Sequence, residues 1–453
     1  MSEVNSIKEL HDLLNTIESE PDEDTKRGLW ASIILSQELI DLISMKFINV
    51  DPFDDAYREL VLETHRIFAG KAYNTNDEGF SINMDYEVTW GFPYGTQSAH
   101  LVGSFLIAYG FLIKTMGLRP GAAILEVGCG TGSLSYHLSK MGYCLTCIDV
   151  NEGFLHLVDR MTAHCAVKPK LLRMDMNQID CLQQFDAIIF CESFHHSLWH
   201  AQLLSKACKL LTKEGIIVFV AEPIVADAMS SLPYPWGLRL NGESLRAICK
   251  WGWLELGFSE SYFYELLHRN DLCFQRFRCM ESNWADIIIA KPGAPPLAIG
   301  SDVLEFSSSG NAGKFRAFGW SVPEQWGTWT DGPQAELVFQ LTPPPVKEVV
   351  LSATVGAFVS DQHPSLDVDV LVNGHILTRW SFTNGQNVGE RQIIIPLNIA
   401  KESTLRVDFH IYDPKSPAEL GLSTDGRKLG LSMYTLRLFE VGSPLLQCGG
   451  TYL

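Results

Sequence analysis

Basic residues are in short supply. The 453-residue chain carries 35 Lys and Arg against 53 Asp and Glu, a net charge of −18. It therefore lacks the positive surface that phosphate backbones and anionic membranes reward, and no nucleic-acid partner is expected. Long apolar runs are missing too. The longest, residues 101–113, spans 13 positions interrupted by Gly and Ser, where a bilayer crossing needs about 20, so no transmembrane segment is expected. The first 20 residues are polar and acidic, without the basic and apolar regions of a secretory leader. Cysteine is present, 11 in all, but not in a pattern that binds metal. Cys144 and Cys147 form a lone CxxC on an alternating run, and no second Cys or His pair follows at zinc spacing. No metal site is expected. Cysteines inside apolar runs such as Ile189-Phe190-Cys191 fit buried reduced thiols in a cytoplasmic protein.

What is present is globular: 46% apolar and 19% charged residues, with length for two or three folding units. The first 60 residues hold 14 acids and 5 bases, half of the whole negative surplus, on helix-period apolar positions such as Leu29, Ile33, Leu39 and Ile43. This describes an N-terminal helical cap over residues 1–100 with a solvated acidic face. The alternative use of that face is contact with a partner or a second copy of the chain.

From Ala123 short β-rich runs alternate with helical segments. Ile124–Val127, Cys144–Ile148, Lys170–Met174, Phe185–Phe190 and Gly215–Ala221 are the strands, and Ser261–Leu267 and Ala285–Ala290 are expected to close the sheet. Such alternation predicts a doubly wound, mostly parallel, seven-stranded sheet with helices on both faces, over residues 101–292. Residues 293–299, rich in Pro and Gly, break the pattern as a linker. Beyond it, residues 335–341, 348–355, 365–372, 391–396 and 403–411 read as strands without helices between them, and Asn373-Gly374 is a hairpin turn. The expectation is an all-β sandwich over residues 300–442, with a tail at 443–453.

The chemistry-bearing motif is Glu126-Val127-Gly128-Cys129-Gly130-Thr131-Gly132, between a strand and a helix. Glycines let a ligand approach the backbone, and the following helix points N–H groups at the same space. The spacing is GxGxG rather than GxGxxG, and no Gly-Lys-Ser/Thr follows, which excludes a Walker loop. Asp149, ending the second strand, suits vicinal ribose hydroxyls. Asp175 ends the third, where it suits an adenine amino group while Met176 packs the ring. Cys191-Glu192-Ser193-Phe194-His195-His196 follows the fourth. Carboxyl ends of neighbouring parallel strands open on one crevice, so these groups should converge.

As an ordered set, residues 124–132, Asp149, Asp175, 185–196 and 215–222 resemble the motifs of class I S-adenosylmethionine-dependent methyltransferases. The resemblance implies that Glu126, Gly128, Cys129, Gly130, Gly132, Asp149, Val150, Asp175, Met176, Cys191 and Glu192 surround the cofactor. Transfer to an oxygen acceptor gains from a general base, and His196, with His195 second, stands at the mouth. Two aromatic segments are candidate surroundings: Tyr86–Tyr94 as a cofactor lid and Ser231–Gly237 as an acceptor loop, with plain packing as the alternative for each. Through Gly319–Trp329, Pro414–Gly421 and Asp425–Gly430, residues 300–440 resemble C-terminal β-modules of bacterial glycosyltransferases and other polysaccharide-synthesis proteins, and three Trp within ten positions could stack on sugar rings or plug the core. Together these imply a methyltransferase acting on a sugar or glycan intermediate, in association with polysaccharide-synthesis enzymes. A small natural-product or quinone-like acceptor is the second reading. A non-catalytic, cofactor-binding scaffold for a glycosyltransferase is the third.

Overall fold

Near-continuous apolar runs make strands that are covered on both faces. Ala123–Val127 (β1), Cys144–Asp149 (β2), Lys170–Arg173 (β3), Phe185–Cys191 (β4) and Leu211–Val220 (β5) run parallel in one sheet. Leu272–Arg278 (β6) and Asp286–Pro292 (β7) complete it in the order β6-β7-β5-β4-β1-β2-β3, with β7 antiparallel to β5. The computed structural model describes residues 2–442 apart from 182, 228, 280 and 403, so the expected tail at 443–453 lies outside the described residues. The sheet order reverses between β4 and β1, and both strands end on the same crevice, the position at which open α/β sheets bind ligands.

Two compact units result. One comprises Met1–Leu272 with Phe277–Pro292, and the other Cys273–Arg276 with the chain from Gly293 onward. The first 100 residues are thus part of the sheet-containing unit rather than a separate body. Their helices α1 (Ile7–Glu18), α2 (Glu23–Ala31), α3 (Gln37–Ser44) and α4 (Asp55–Ala69) are amphipathic, with buried residues such as Leu10, Leu14, Ile40 and Val61. Tyr57 of α4 donates its hydroxyl to the Trp236 carbonyl at 2.9 Å, and Trp236 Nε1 donates to the Pro52 carbonyl at 2.8 Å. Some of the acidic surplus is used internally, since Glu18 pairs with both Arg246 and Lys250. After α5 (Met84–Trp90) comes α6 (Ala99–Met116), 18 residues with a mean hydropathy of 1.4. It is longer than the apolar run alone, and by length and composition it passes as a membrane span. Its Phe105, Tyr109, Leu112 and Met116 pack in the same core as Ile124 and Val218 of the sheet.

Two expectations fail here. Ser261–Leu267 is not a strand but lies in a helix, Glu260–His268. Ser259 caps it by accepting from Tyr262 N, and Tyr262, Phe263, Leu266 and Leu267 are buried at helical spacing. The aromatic content suggests a strand, yet cap and periodicity prevail. Residues 293–299 are not simply a linker either, because Pro296–Ala298 pairs in parallel with Gln340–Thr342.

In the second unit one sheet holds Pro296–Ala298, Gln334–Thr342, Leu405–Ile411, Ser365–Val372 and His375–Thr383. The other holds Val303–Glu305, Leu429–Glu440, Val349–Ala357 and Val388–Ile395, with Thr328–Asp331 against Leu429–Glu440. Inward residues of both, among them Leu337, Phe339, Leu351, Val370, Phe409 and Leu436, form one apolar core, the sandwich arrangement. Asn373 and Gly374 both take left-handed φ (47° and 78°) between Val372 and His375, as a tight hairpin turn requires. Leu337, fully buried, is expected to cost about 2–5 kcal/mol when cut to alanine, read as the shift of the C-terminal unit's unfolding in urea.

Candidate functional site

Between β1 and α7 (Ser133–Lys140) the chain turns through Gly128, Gly130 and Gly132, all left-handed. A side chain is excluded at two of them. A Cβ on Gly128 would lie 2.8 Å from that of Ser193, and one on Gly132 would lie 2.6 Å from Val158 Cγ2. Gly128 N and Cys129 N both donate to the Ile148 carbonyl. Asp149 then holds the turn against the end of β2: Oδ2 accepts from Gly130 N at 3.0 Å and Oδ1 from Asn151 N at 2.8 Å. A carboxylate has about four lone-pair sites, so each oxygen retains acceptor capacity. Burial pushes the Asp149 carboxyl up, against the pull of those N–H groups. Asp175 accepts through Oδ1 from both the backbone and the side-chain nitrogen of Asn177.

These groups open on one cavity of about 230 Å³. Its wall includes Gly128, Gly130, Asp149, Val150, Asp175 and Met176, with Phe154 and Met174, and also Glu192, His196, Trp253 and Glu78. Thr75, Gly79 and Phe80 close the side, and Asn151 Nδ2 holds this segment by donating to the Phe80 carbonyl at 3.2 Å.

A polar cluster beside the cavity is built around Glu222, just after β5. Its carboxylate is fully buried and accepts from Ser193 N (2.8 Å), Phe194 N (2.9 Å), His195 N (3.2 Å) and His195 Nδ1 (2.8 Å). Burial works against its charge, but His195 and these N–H groups hold Glu222 below the usual carboxylate range. Nε2 of His195 faces Glu255 Oε2 at 3.9 Å, and Glu255 also pairs with Arg239. Glu255 and Arg239 are brought opposite each other by pairing of Leu256–Ser259 with Trp236–Leu238. His196 Nδ1 lies 3.2 Å from Glu78 Oε2, within ion-pair reach though not aligned as a hydrogen bond, while Glu78 Oε1 accepts from Leu254 N at 2.8 Å. Burial opposes protonation of His196, yet Glu78, Glu255 and Glu222 outweigh it and lift the imidazole to about 9. Burial and the neighbouring His196 push His195 the other way. Glu192, with a left-handed φ of 50°, is pushed up to about 8 by burial and by Glu222.

The structure gathers Gly128, Gly130, Asp149, Val150, Asp175, Met176, Glu192 and His196 on the cavity wall, and leaves Glu126, Cys129, Gly132, Cys191 and His195 off it. Glu126 sits beneath the turn, 2% exposed, accepting from Ser135 Oγ at 2.6 Å, so it braces α7 rather than reaching a ligand. Cys129 is buried in the core, Gly132 begins α7, and His195 stands behind His196. Residues 86–94 do not line the cavity; Tyr86, Trp90 and Phe92 are exposed, and Phe92 packs edge-to-face against Phe105. Residues 75–80 take that place. Tyr234 and Trp236 are buried in packing and do not meet His196 across a cavity. Glu78, Trp253 and Glu255 carry no local motif; only folding brings them to the turn after β4.

Residues 124–215 match a family model described as a methyltransferase domain, a family that uses S-adenosylmethionine. A protein of Geobacillus sp. (strain WCH70) named as a methyltransferase is 30% identical over 111 residues, 24% of this chain and 45% of that one. The ubiquinone biosynthesis O-methyltransferase of Coxiella burnetii is 29% identical over 147 residues, 31% of this chain and 60% of that one. The chain thus spans about half the length of the curated relatives it matches. Among solved structures, the N-methyltransferase NodS from Bradyrhizobium japonicum, in complex with S-adenosyl-L-homocysteine, is similar with 17% identity and a TM-score of 0.33, covering 48% of this chain and 97% of that one.

Burial raises Glu126 to about 7 from 4.5. The folded chain therefore holds more protons there than the unfolded chain between those values, and the contribution of Glu126 to stability falls as pH rises across that window. Glu126→Gln keeps an acceptor for Ser135 and is expected to flatten this part of the stability–pH profile, leaving the variant more stable than the parent near pH 8 in urea titrations.

Proposed function

We propose that the chain binds S-adenosylmethionine and transfers its methyl group to a hydroxyl of a sugar or other small acceptor. The observation that carries this is that one cavity is lined by the glycine turn, Asp149 and Asp175–Met176 together with His196 and Glu78. In this reading Asp149 holds the ribose hydroxyls, Asp175 the adenine amino group, Met176 and Phe154 flank the base, and the turn at 128–130 takes the methionine moiety. The sulfonium methyl then points toward Glu192 and His196.

Methyl transfer is an in-line displacement from sulfur, so much of the catalysis is orientation and exclusion of water. The wall made by Thr75, Glu78, Gly79 and Phe80 supplies that exclusion. A hydroxyl acceptor also has to lose a proton, and His196, beside Glu78, takes it in its neutral form, whose share grows as pH rises toward about 9. For the acceptor, the C-terminal sandwich supports a glycan-linked substrate through its resemblance to modules of polysaccharide-synthesis proteins. A quinone-like small molecule is the second reading, favoured by similarity to proteins named as ubiquinone biosynthesis O-methyltransferases.

Incubation with methyl-labelled cofactor, followed by separation of polysaccharide extract from small-molecule fraction, decides between the two; label in neither would remove the transferase reading. Asp149→Ala is expected to weaken S-adenosylhomocysteine binding by roughly tenfold or more in calorimetry, the size of a lost charge-assisted hydrogen bond. His196→Ala should instead lower kcat by about 10²–10⁴ with cofactor affinity kept; unchanged turnover would take His196 out of the mechanism.

A further inference from the structure

Glu222 fixes the chemistry of the histidine beside it. An ionised carboxylate only accepts, so the 2.8 Å contact requires the proton of His195 to sit on Nδ1. The other ring nitrogen, Nε2, then faces a carboxylate oxygen of Glu255 at 3.9 Å. Both are well buried, with side-chain exposures of 7% and 10%. His196 completes the group: one ring nitrogen from each histidine and one oxygen of Glu255 all lie within 4.8 Å of one another.

Glu222 and Glu255 flank His195, Glu78 faces His196, and Arg239 pairs with Glu255. Arg239 engages Oε2 of Glu255, leaving further lone-pair sites on that carboxylate. A histidine whose far ring nitrogen donates to a carboxylate is the usual way a metal ligand is oriented, with the carboxylate setting the tautomer.

We propose that His195, His196 and Glu255 bind a divalent transition-metal ion at the acceptor end of the cavity. Two imidazoles and one carboxylate suit zinc, manganese, iron(II) or cobalt better than calcium or magnesium, which favour all-oxygen sites. Bonds of about 2.0–2.2 Å place ligand atoms roughly 3–3.6 Å apart, so the three side chains close by about 1 Å on binding. Three protein ligands leave positions open toward the cavity, which His196 lines. This rests on the methyltransferase reading for its role: the ion takes the acceptor oxygen as a Lewis acid and lowers its pKa, so that His196 acts through the metal. The hydroxyl proton leaves to solvent, the oxygen forms its bond to the methyl carbon, and the carbon–sulfur bond breaks with its electron pair going to sulfur.

The test uses the full chain, dialysed against EDTA and titrated with cobalt(II) chloride. One cobalt per chain is expected, with visible d–d absorption that zinc chloride abolishes. Glu255→Gln should weaken cobalt binding by at least about tenfold, as loss of even an outer partner does, while S-adenosylhomocysteine binding stays near that of the parent; its melting temperature falls, because Arg239 loses its carboxylate partner. Should that variant fail to fold, His196→Gln, at the cavity wall, is read in the same way. Absent or non-stoichiometric binding, or binding unchanged in both variants, overturns the metal site. S-adenosylhomocysteine calorimetry on the same samples separates the two claims: cobalt binding without cofactor binding removes the transferase reading alone, and cofactor binding without cobalt binding removes the metal alone.

Discussion

One buried carboxylate organises the end of the sheet. Glu222 takes three successive backbone N–H groups and an imidazole N–H, so the turn after β4 is drawn around it and cannot relax without leaving donors unpaired. Removing such a partner costs about 1–3 kcal/mol for each buried group left behind, and more for charged ones. The turn in turn reaches β1, where Ser193 Oγ donates to the Val127 carbonyl at 2.6 Å. This is also why residue 128 has no side chain: the space for one is filled by Ser193. The glycine turn and the histidine turn are therefore one construction, positioned by a residue that does not itself line the cavity.

How much of this is legible in the sequence depends on the range of the interaction. The glycine turn, Asp149 and Asp175 sit at strand ends, and a strand end can be read from an apolar run and the polar residue that stops it. The hairpin at Asn373-Gly374 is legible for the same reason, since the turn chemistry is local. Ser261–Leu267 misleads because aromatic residues favour strands on average, while the deciding signals are one capping serine and a spacing of three and four.

Contacts between distant segments leave no such trace. Glu78 meets His196 across more than a hundred residues, and Glu255 meets His195 across sixty. Neither acid stands in a recognisable motif, and both reach the site through backbone pairing or packing elsewhere. Glu126 is the converse case. Its position two residues before Gly128 suggests a ligand contact, but its side chain points down to Ser135 and supports the helix. A motif places a residue in the neighbourhood of a site without saying which way it faces.

The stretch that matches the methyltransferase model, residues 124–215, supplies the glycine turn, Asp149, Asp175 and the two histidines. Glu78, Phe80 and Trp253, which also line the cavity, come from before and after it. In the proposed reading, the shared segment carries the groups that would hold the methyl donor together with the two histidines, whereas drift in the flanks can retune what is admitted without disturbing them. Two chains alike in the former and unlike in the latter would share a reagent and differ in clientele.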